Sequence, residues 1–209
     1  VNLSCDQDVA EASVERLRGL QERYFGNEEI ALAYAKGLFN LSHKQGVEEA
    51  EASVERLRKL QERYSGNEEI AHAYAWGLFN LSCNQDVAEA EASVERLREL
   101  QERYSGNEEI ALEYAKGLVN LSCDQDVAEA SVERLRGLQE RYFGNEEIAL
   151  AYAKGLFNLS HKQGVEEAEA SVERLRKLQE RYSGNEEIAH AYAWGLFNLS
   201  CNQDVAEAE

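Results

Sequence analysis

The sequence has 209 residues, of which 44% are hydrophobic and 30% are charged. No apolar run approaches the roughly 20 residues that a helix needs to cross a bilayer, so the composition argues against a membrane-spanning protein. The formal net charge of −18 argues against nucleic acids and anionic membranes as partners and favours a basic protein or peptide. An equally open interpretation is that the charge only keeps a long surface in solution.

A five-residue string, Val-Glu-Arg-Leu-Arg, recurs along the chain and defines its internal repeat. Its copies are separated by 40, 40, 38 and 40 residues and begin at Val14, Val54, Val94, Val132 and Val172. At a coarser level, residues 119–209 are identical to residues 1–91, which gives a larger unit of 118 residues. A fixed period of this length is typical of stacked helical units, so we predict one tandem-repeat domain over residues 1–209. The perfect identity leaves open whether the repeat is natural or engineered.

Each repeat is predicted to contain two helices. In the copy that begins at Asp86, this residue is a good N-cap, and the apolar residues that follow have helical spacing as far as Tyr104. Gly106 is predicted to end this helix in a left-handed conformation, and Asn107 to cap a second helix that frays near Ser122. The absence of proline supports an all-α fold of antiparallel helical hairpins.

The shorter repeat tests this division into helices. Ala130-Ser131 lacks two residues that are present before Ser93. A deletion inside a helix would rotate everything beyond it by about 200°, yet the pattern after Val132 is unchanged. We therefore expect the helix in the shorter repeat to start half a turn later.

A glycine recurs inside the Asn-capped helix of every repeat. Glycine at such a position costs roughly 1 kcal/mol relative to alanine, so we expect two backbones to pass closely there. The five copies are Gly37, Gly77, Gly117, Gly155 and Gly195. Gly19 and Gly137 are different, because the same position holds Lys59 or Glu99 in other copies, so we expect them to face solvent.

The pattern resembles the tetratricopeptide repeat family in a lengthened form. The likeness rests on Tyr34-Ala35 and Leu38 in one helix and on Ala50, Val54 and Leu57 in the next, and it recurs in all full hairpins. The departures are a repeat of 38 to 40 residues, alanine in place of the early tryptophan, and no closing proline. The resemblance implies a right-handed α-solenoid whose concave face grips a peptide or helix of a partner.

Two columns of residues that differ between repeats predict a partner-binding stripe on the Asn-capped helices. The columns are four residues apart, so they share one helix face, and a column of asparagines lies beside them. By the resemblance, the stripe falls on the concave side and consists of Leu32, Lys36, Asn40, His72, Trp76, Asn80, Leu112, Lys116, Asn120, Leu150, Lys154, Asn158, His190, Trp194 and Asn198. His72 and Trp76 could anchor a partner, but the sequence favours the alternative that they pack against a neighbouring hairpin.

The sequence contains no phosphate-binding loop, no His-Glu-x-x-His and no Cys-x-x-Cys, so we expect neither catalysis nor a cofactor. Cys5, Cys83, Cys123 and Cys201 share one repeat position with His43 and His161. Equivalent positions on stacked hairpins lie about 10 Å apart, which is too far for a disulfide or a metal site. Free thiols without a secretory signal predict a reducing, cytoplasmic location.

The ends of the sequence suggest an alternative function. The absence of methionine predicts that these residues belong to a longer product, and Val1 corresponds to Val119, inside a predicted helix. Solenoids usually carry polar capping helices, and none is visible at either end. Uncapped hairpins are complementary head to tail, so the alternative is a structural repeat protein, natural or engineered, that associates end to end.

Overall fold

The computed structural model describes residues 3–42, 46–162 and 164–206. Within these residues the chain forms ten α-helices and no strand. The helices are α1 Leu3–Arg23, α2 Glu28–Ser42, α3 Val47–Arg63, α4 Glu68–Ser82, α5 Val87–Arg103, α6 Glu108–Leu121, α7 Ala128–Arg141, α8 Glu146–Ser160, α9 Val165–Arg181 and α10 Glu186–Ala206. The all-α fold and the helical hairpin repeat are therefore confirmed.

The chain divides into two compact units, Val1–Tyr114 and Ala115–Glu209, which are called unit 1 and unit 2 below. In both units, helices that follow one another in the chain pack together. The even-numbered helices also contact one another directly, α2 with α4 in unit 1 and α8 with α10 in unit 2. Each unit therefore contains a layer of even-numbered helices, and this layer carries the predicted stripe.

Asparagine caps start the even-numbered helices as predicted. The side-chain oxygen of Asn67 accepts a hydrogen bond from the Ile70 backbone N–H at 3.0 Å, and Asn107 does the same for Ile110. Such a bond satisfies one of the amide donors that a helix start leaves without a partner. The left-handed conformation predicted for Gly106 is wrong, because positive φ is found only at Gly26 and Gly144 among the described residues. The C-cap Tyr104 makes the turn instead, with φ of −110°.

The N-caps of α3, α5 and α9 share one backbone conformation but differ in their side chains. Asp86 caps α5 as predicted, and its carboxylate accepts from the Glu89 N–H at 3.0 Å. Gly46 starts α3 with almost the same backbone, φ of −67° and ψ of 172° against −67° and 171° at Asp86, but it offers no side-chain acceptor. Gly164 starts α9 in the same way. The backbone at these two glycines is therefore ready for a capping side chain.

The shorter repeat absorbs its deletion at the start of the helix, as predicted. When Val132 is aligned with Val94, α7 begins three residues later than α5, nearly a full turn rather than half a turn. Val127 occupies the N-cap without a side-chain hydrogen bond. Asp124 instead accepts from the Asp126 N–H at 2.9 Å within the turn. This local bond holds the preceding residues in a turn, so the helix starts late.

The recurring glycines lie where the preceding helix presses on the backbone. A Cβ atom on Gly77 would lie 3.1 Å from Leu57 Cδ1 and 3.2 Å from Val54 Cγ2, and a Cβ on Gly155 would lie 2.6 Å from Leu135 Cδ1. Gly37 and Gly195 meet the corresponding leucine and valine side chains. The expected approach of two backbones is therefore wrong at these positions, because side chains of the preceding helix fill the space.

The empty caps of α3 and α9 lead to a stability prediction. Gly46→Ser together with Gly164→Ser should raise the free energy of unfolding by about 0.5 to 1 kcal/mol per site. The hydroxyl would supply the missing acceptor, and Ser-x-x-Glu with Glu49 or Glu167 forms a capping box. Urea denaturation measures the change. Gly46→Ala with Gly164→Ala is the control for the loss of glycine freedom, and an equal gain from alanine would contradict the capping explanation.

Substitution by alanine should have opposite effects on stability at two glycines of unit 2. Gly137 lies inside α7 with nothing within 4 Å of an added Cβ, so Gly137→Ala should stabilise by roughly 0.5 to 1 kcal/mol. Gly155→Ala should destabilise by about 1 kcal/mol or more, because overpacking against buried Leu135 outweighs the gain in helix propensity. Thermal unfolding of both variants checks the sign. Stabilisation by both substitutions would contradict the tight helix contact.

Candidate functional site

The predicted stripe residues lie on the even-numbered helices of both units and differ in exposure. Lys36, Asn40, Lys154, His190 and Trp194 are exposed. The half-buried members are Leu32, His72, Trp76, Asn80, Leu112, Lys116, Asn120, Leu150, Asn158 and Asn198. None of the fifteen is fully buried, so each contributes some surface to the layer.

A groove opens between α8 and α10 in unit 2. It has a volume of about 810 Å³ and is lined by Lys154, Phe157, Glu186, Glu187, His190, Ala191 and Trp194. Trp194 is 46% exposed, which is unusual for a side chain of this size. Lys154 Nζ lies 3.2 Å from Glu187 Oε2, so an ion pair bridges the rim. The groove therefore combines an aromatic surface with charged edges and brings together three predicted residues, Lys154, His190 and Trp194.

A hydrogen bond fixes the position of Trp194. Its indole Nε1–H donates to His190 Nε2 at 2.8 Å, one helical turn away. The acceptor nitrogen must then carry no proton. The indole also meets Phe197 edge to face, with ring centroids 5.4 Å apart. These contacts hold the indole along α10.

The same residues occur in unit 1, between α2 and α4, but they are arranged differently. Lys36 pairs with Glu69 at 2.9 Å, as Lys154 pairs with Glu187. Trp76, however, lies on the ring of Phe39, with centroids only 3.7 Å apart. In unit 1 the aromatic side chain that corresponds to Phe157 is therefore covered by the chain's own tryptophan.

His72 has acidic neighbours on α6. Its Nδ1 lies 3.3 Å from Glu109 Oε2, and its Nε2 lies 3.9 Å from Glu113 Oε1. Glu113 is only 3% exposed, which is rare for a glutamate. Burial raises the pKa of the Cys83 thiol above its ordinary value, and the charge of Glu113 adds to the rise. The carboxylate therefore influences groups along α4.

Glu113 is a site residue that our sequence reasoning missed. It lies between Leu112 and Lys116, outside the two variable columns of the stripe. The signal was present, because the other repeats have alanine there, at Ala33, Ala73, Ala151 and Ala191. A charged residue that replaces alanine at a buried position in one repeat alone is a strong indication of a local role.

Four asparagines of the stripe are half-buried, Asn80, Asn120, Asn158 and Asn198, whereas Asn40 is exposed. Asn158 Nδ2 donates to Ser122 Oγ at 2.9 Å and lies 3.4 Å from Cys123 Sγ. It therefore ties α8 to the turn that follows α6. The buried Nδ2 atoms of Asn80 and Asn198 have no hydrogen-bond partner among the described residues. These side chains contribute to the floor of the layer more than to its surface.

The cysteine and histidine column forms no cluster where it is described. Cys83, Cys123 and Cys201 are free thiols, and His43 lies outside the described residues. Among the side chains that the structure describes, those of residues 8–42, 46–162 and 164–201, no group of three His, Cys, Asp or Glu could hold a metal ion. Over the same ranges, no helix is both long enough and apolar enough to cross a membrane.

The ten helices of the described residues and their packing define an all-α helical-repeat protein. No protein-family model matches the chain, and no curated protein matches it. Its structure is similar to the crystal structure of an engineered protein, a target of the Northeast Structural Genomics Consortium. The similarity has a TM-score of 0.60 and 22% sequence identity, and it covers 93% of this chain and 82% of that chain. At this identity the likeness concerns the fold alone. The right-handed superhelix and membership of the tetratricopeptide repeat family stay predictions.

Proposed function

We propose that the protein is an interaction scaffold that binds a peptide or a helix of a partner on the layer of even-numbered helices. The observation that carries this proposal is the open groove between α8 and α10, where a 46% exposed tryptophan stands beside an apolar cleft of about 810 Å³. Clefts of this size that combine apolar walls with a few polar groups are typical binding sites. Exposed aromatic side chains of this kind often act as interface anchors.

The charge of the chain favours a basic partner. Glu186 and Glu187 stand at the edge of the groove, and the formal net charge is −18. A field of this sign attracts cationic segments and accelerates their association at low ionic strength. Nucleic acids and anionic membranes would be repelled, so we propose neither as a partner.

The test is to select peptides from a displayed random library with the whole chain and to measure their affinity by calorimetry. Trp194→Ala should weaken the selected peptides at least tenfold, because a buried aromatic anchor contributes about 2 kcal/mol. Arg176→Ala is the control, since Arg176 lies on α9 and pairs with Glu173 away from the groove. Equal affinity for the native chain and for Trp194→Ala would refute binding at this groove.

A second candidate function, end-to-end association of the 209-residue chain, is favoured by exposed apolar side chains on α1 and α10. Leu20 of α1 and Tyr24, which directly follows α1, are 44% and 48% exposed, whereas the equivalent Leu60 and Tyr64 are 4% and 8% exposed. On α10, Leu196 is 44% exposed, and its equivalent in α8 is fully buried. These faces are the ones that a further hairpin would cover, so another copy of the chain could supply it.

Sedimentation equilibrium over a hundredfold range of concentration tests this candidate. Association should appear as a mass that grows with concentration, and Leu20→Glu with Leu196→Glu should abolish the growth, because a charge at each face opposes apolar burial. Glu22→Gln is a control on an exposed position of α1. A monomer at every concentration would exclude end-to-end association and leave the groove hypothesis untouched.

A further inference from the structure

The two copies of the groove provide an internal comparison, because residues 28–82 and 146–200 are identical in sequence. In unit 2 the cleft beside Phe157 is open, and Trp194 is hydrogen-bonded to His190. In unit 1 the ring of Phe39, the equivalent of Phe157, is in contact with the indole of Trp76. The same side chains therefore occur in an open and an occupied arrangement.

The contact between Trp76 and Phe39 in unit 1 indicates the kind of side chain that fits against this phenylalanine. An aromatic ring of indole size lies against Phe39 at a centroid distance of 3.7 Å, with its plane inclined by 41°. A pair of rings in such contact is worth about 0.5 to 1.5 kcal/mol beyond the area it buries. Since Phe157 has the same neighbours in sequence, its open cleft offers this contact to a ring from another molecule.

The rim adds a preference for positive charge. Glu186 and Glu187 line the cleft, and Lys154 neutralises only the second of them through its 3.2 Å ion pair. The exposed face of Trp194 can also receive a cation, since indole is the best aromatic partner for one. A ring that enters the cleft would therefore bring its flanking residues close to two carboxylates and an indole.

We propose that the groove between α8 and α10 binds an aromatic side chain flanked by arginine or lysine, and that Trp76 occupies the equivalent groove of unit 1 as an internal substitute for this ligand. The inference rests on the proposed scaffold function and names its partner. The position of the tryptophan follows the histidine beside it. His190 accepts from Trp194 and holds the indole at the wall of the cleft, whereas His72 is engaged by Glu109 and Glu113 on α6.

The chain has only two tryptophans, so the two indole N–H signals of a ¹H–¹⁵N spectrum report on the two grooves separately. The variants Trp76→Phe and Trp194→Phe assign these signals. The probe is the tripeptide acetyl-Arg-Phe-Arg-amide, titrated into the whole chain. We expect a saturable shift of the Trp194 signal and no shift of the Trp76 signal. A shift of both signals, or of the Trp76 signal alone, would refute the occupied arrangement in unit 1.

Two comparison peptides separate the roles of the ring and of the charges. Acetyl-Arg-Ala-Arg-amide and acetyl-Glu-Phe-Glu-amide should each bind at least about tenfold more weakly than the probe, which is a difference that one anchor residue can produce. Equal binding of the alanine peptide would refute the aromatic assignment, and equal binding of the glutamate peptide would refute the cationic one.

Phenylalanine variants supply a matched pair inside one chain. Phe157→Ala should abolish the response to the probe, while Phe39→Ala, the same change in the occupied copy, should leave the Trp194 response unchanged within about twofold. Phe157→Leu keeps the apolar volume and removes the ring, and it replaces Phe157→Ala if that variant unfolds. Equal effects of substitution at Phe39 and Phe157 would overturn the proposal.

The role of the histidine contact is tested in unit 1. Glu109→Ala with Glu113→Ala removes both carboxylates from His72, and the second change restores the alanine found in the other repeats. The Trp76 signal should then respond to the probe, because the indole can move to His72 as Trp194 does to His190. A Trp76 signal that stays unresponsive would refute control by the histidine.

The library peptides distinguish this inference from the function on which it rests. If selected peptides lose affinity with Trp194→Ala but bind without an aromatic residue, the scaffold function stands and the ligand class proposed above is wrong. If no selected peptide depends on Trp194, the scaffold function at this groove fails first and the ligand assignment fails with it.

Discussion

The contact between one glycine and the helix that precedes it underlies the architecture of each unit. Val54 and Leu57 of α3 lie against the backbone of α4 at Gly77, and Val132 and Leu135 of α7 repeat the arrangement at Gly155. Without a side chain at the glycine, the leucine and valine of the preceding helix lie directly against its backbone. The leucine is completely buried in this contact, and the even-numbered helices also contact one another.

Helix starts could be predicted from local sequence wherever a side chain accepts a hydrogen bond from a backbone N–H in the first turn. Asn107 and Asp86 were predicted as caps because an amide or carboxylate oxygen can reach an N–H three residues later, and both do so. The helices themselves followed from the spacing of apolar residues. This information lies within a few neighbouring residues, so a single sequence is sufficient to find it.

Long-range packing decided the features that sequence reasoning failed to predict. Cys83 and Asn84 form a turn after α4, while the identical Cys201 and Asn202 continue α10 as helix. The two tryptophans have the same sequence neighbours on both sides but different contacts, since only His72 has Glu109 and Glu113 nearby. Identical local sequence cannot encode both outcomes, so these differences arise from the helices packed around each copy. The open cleft itself was visible only in the structure.

Two of the capping asparagines make a second hydrogen bond, and this bond limits which residues can replace them. Asn107 caps α6 through its side-chain oxygen, while its Nδ2 donates to Glu68 Oε2 at 2.7 Å, and Asn67 donates to Glu28 Oε2 in the same way. Serine and aspartate are equally good caps, but an ionised aspartate has no proton to donate to a carboxylate, and serine would have to use one hydroxyl oxygen for both bonds. As repeats diverge over generations, this column should therefore tolerate fewer replacements than an ordinary cap. Because its side chain makes two hydrogen bonds, the asparagine should stay conserved even after the surrounding helix positions have diverged.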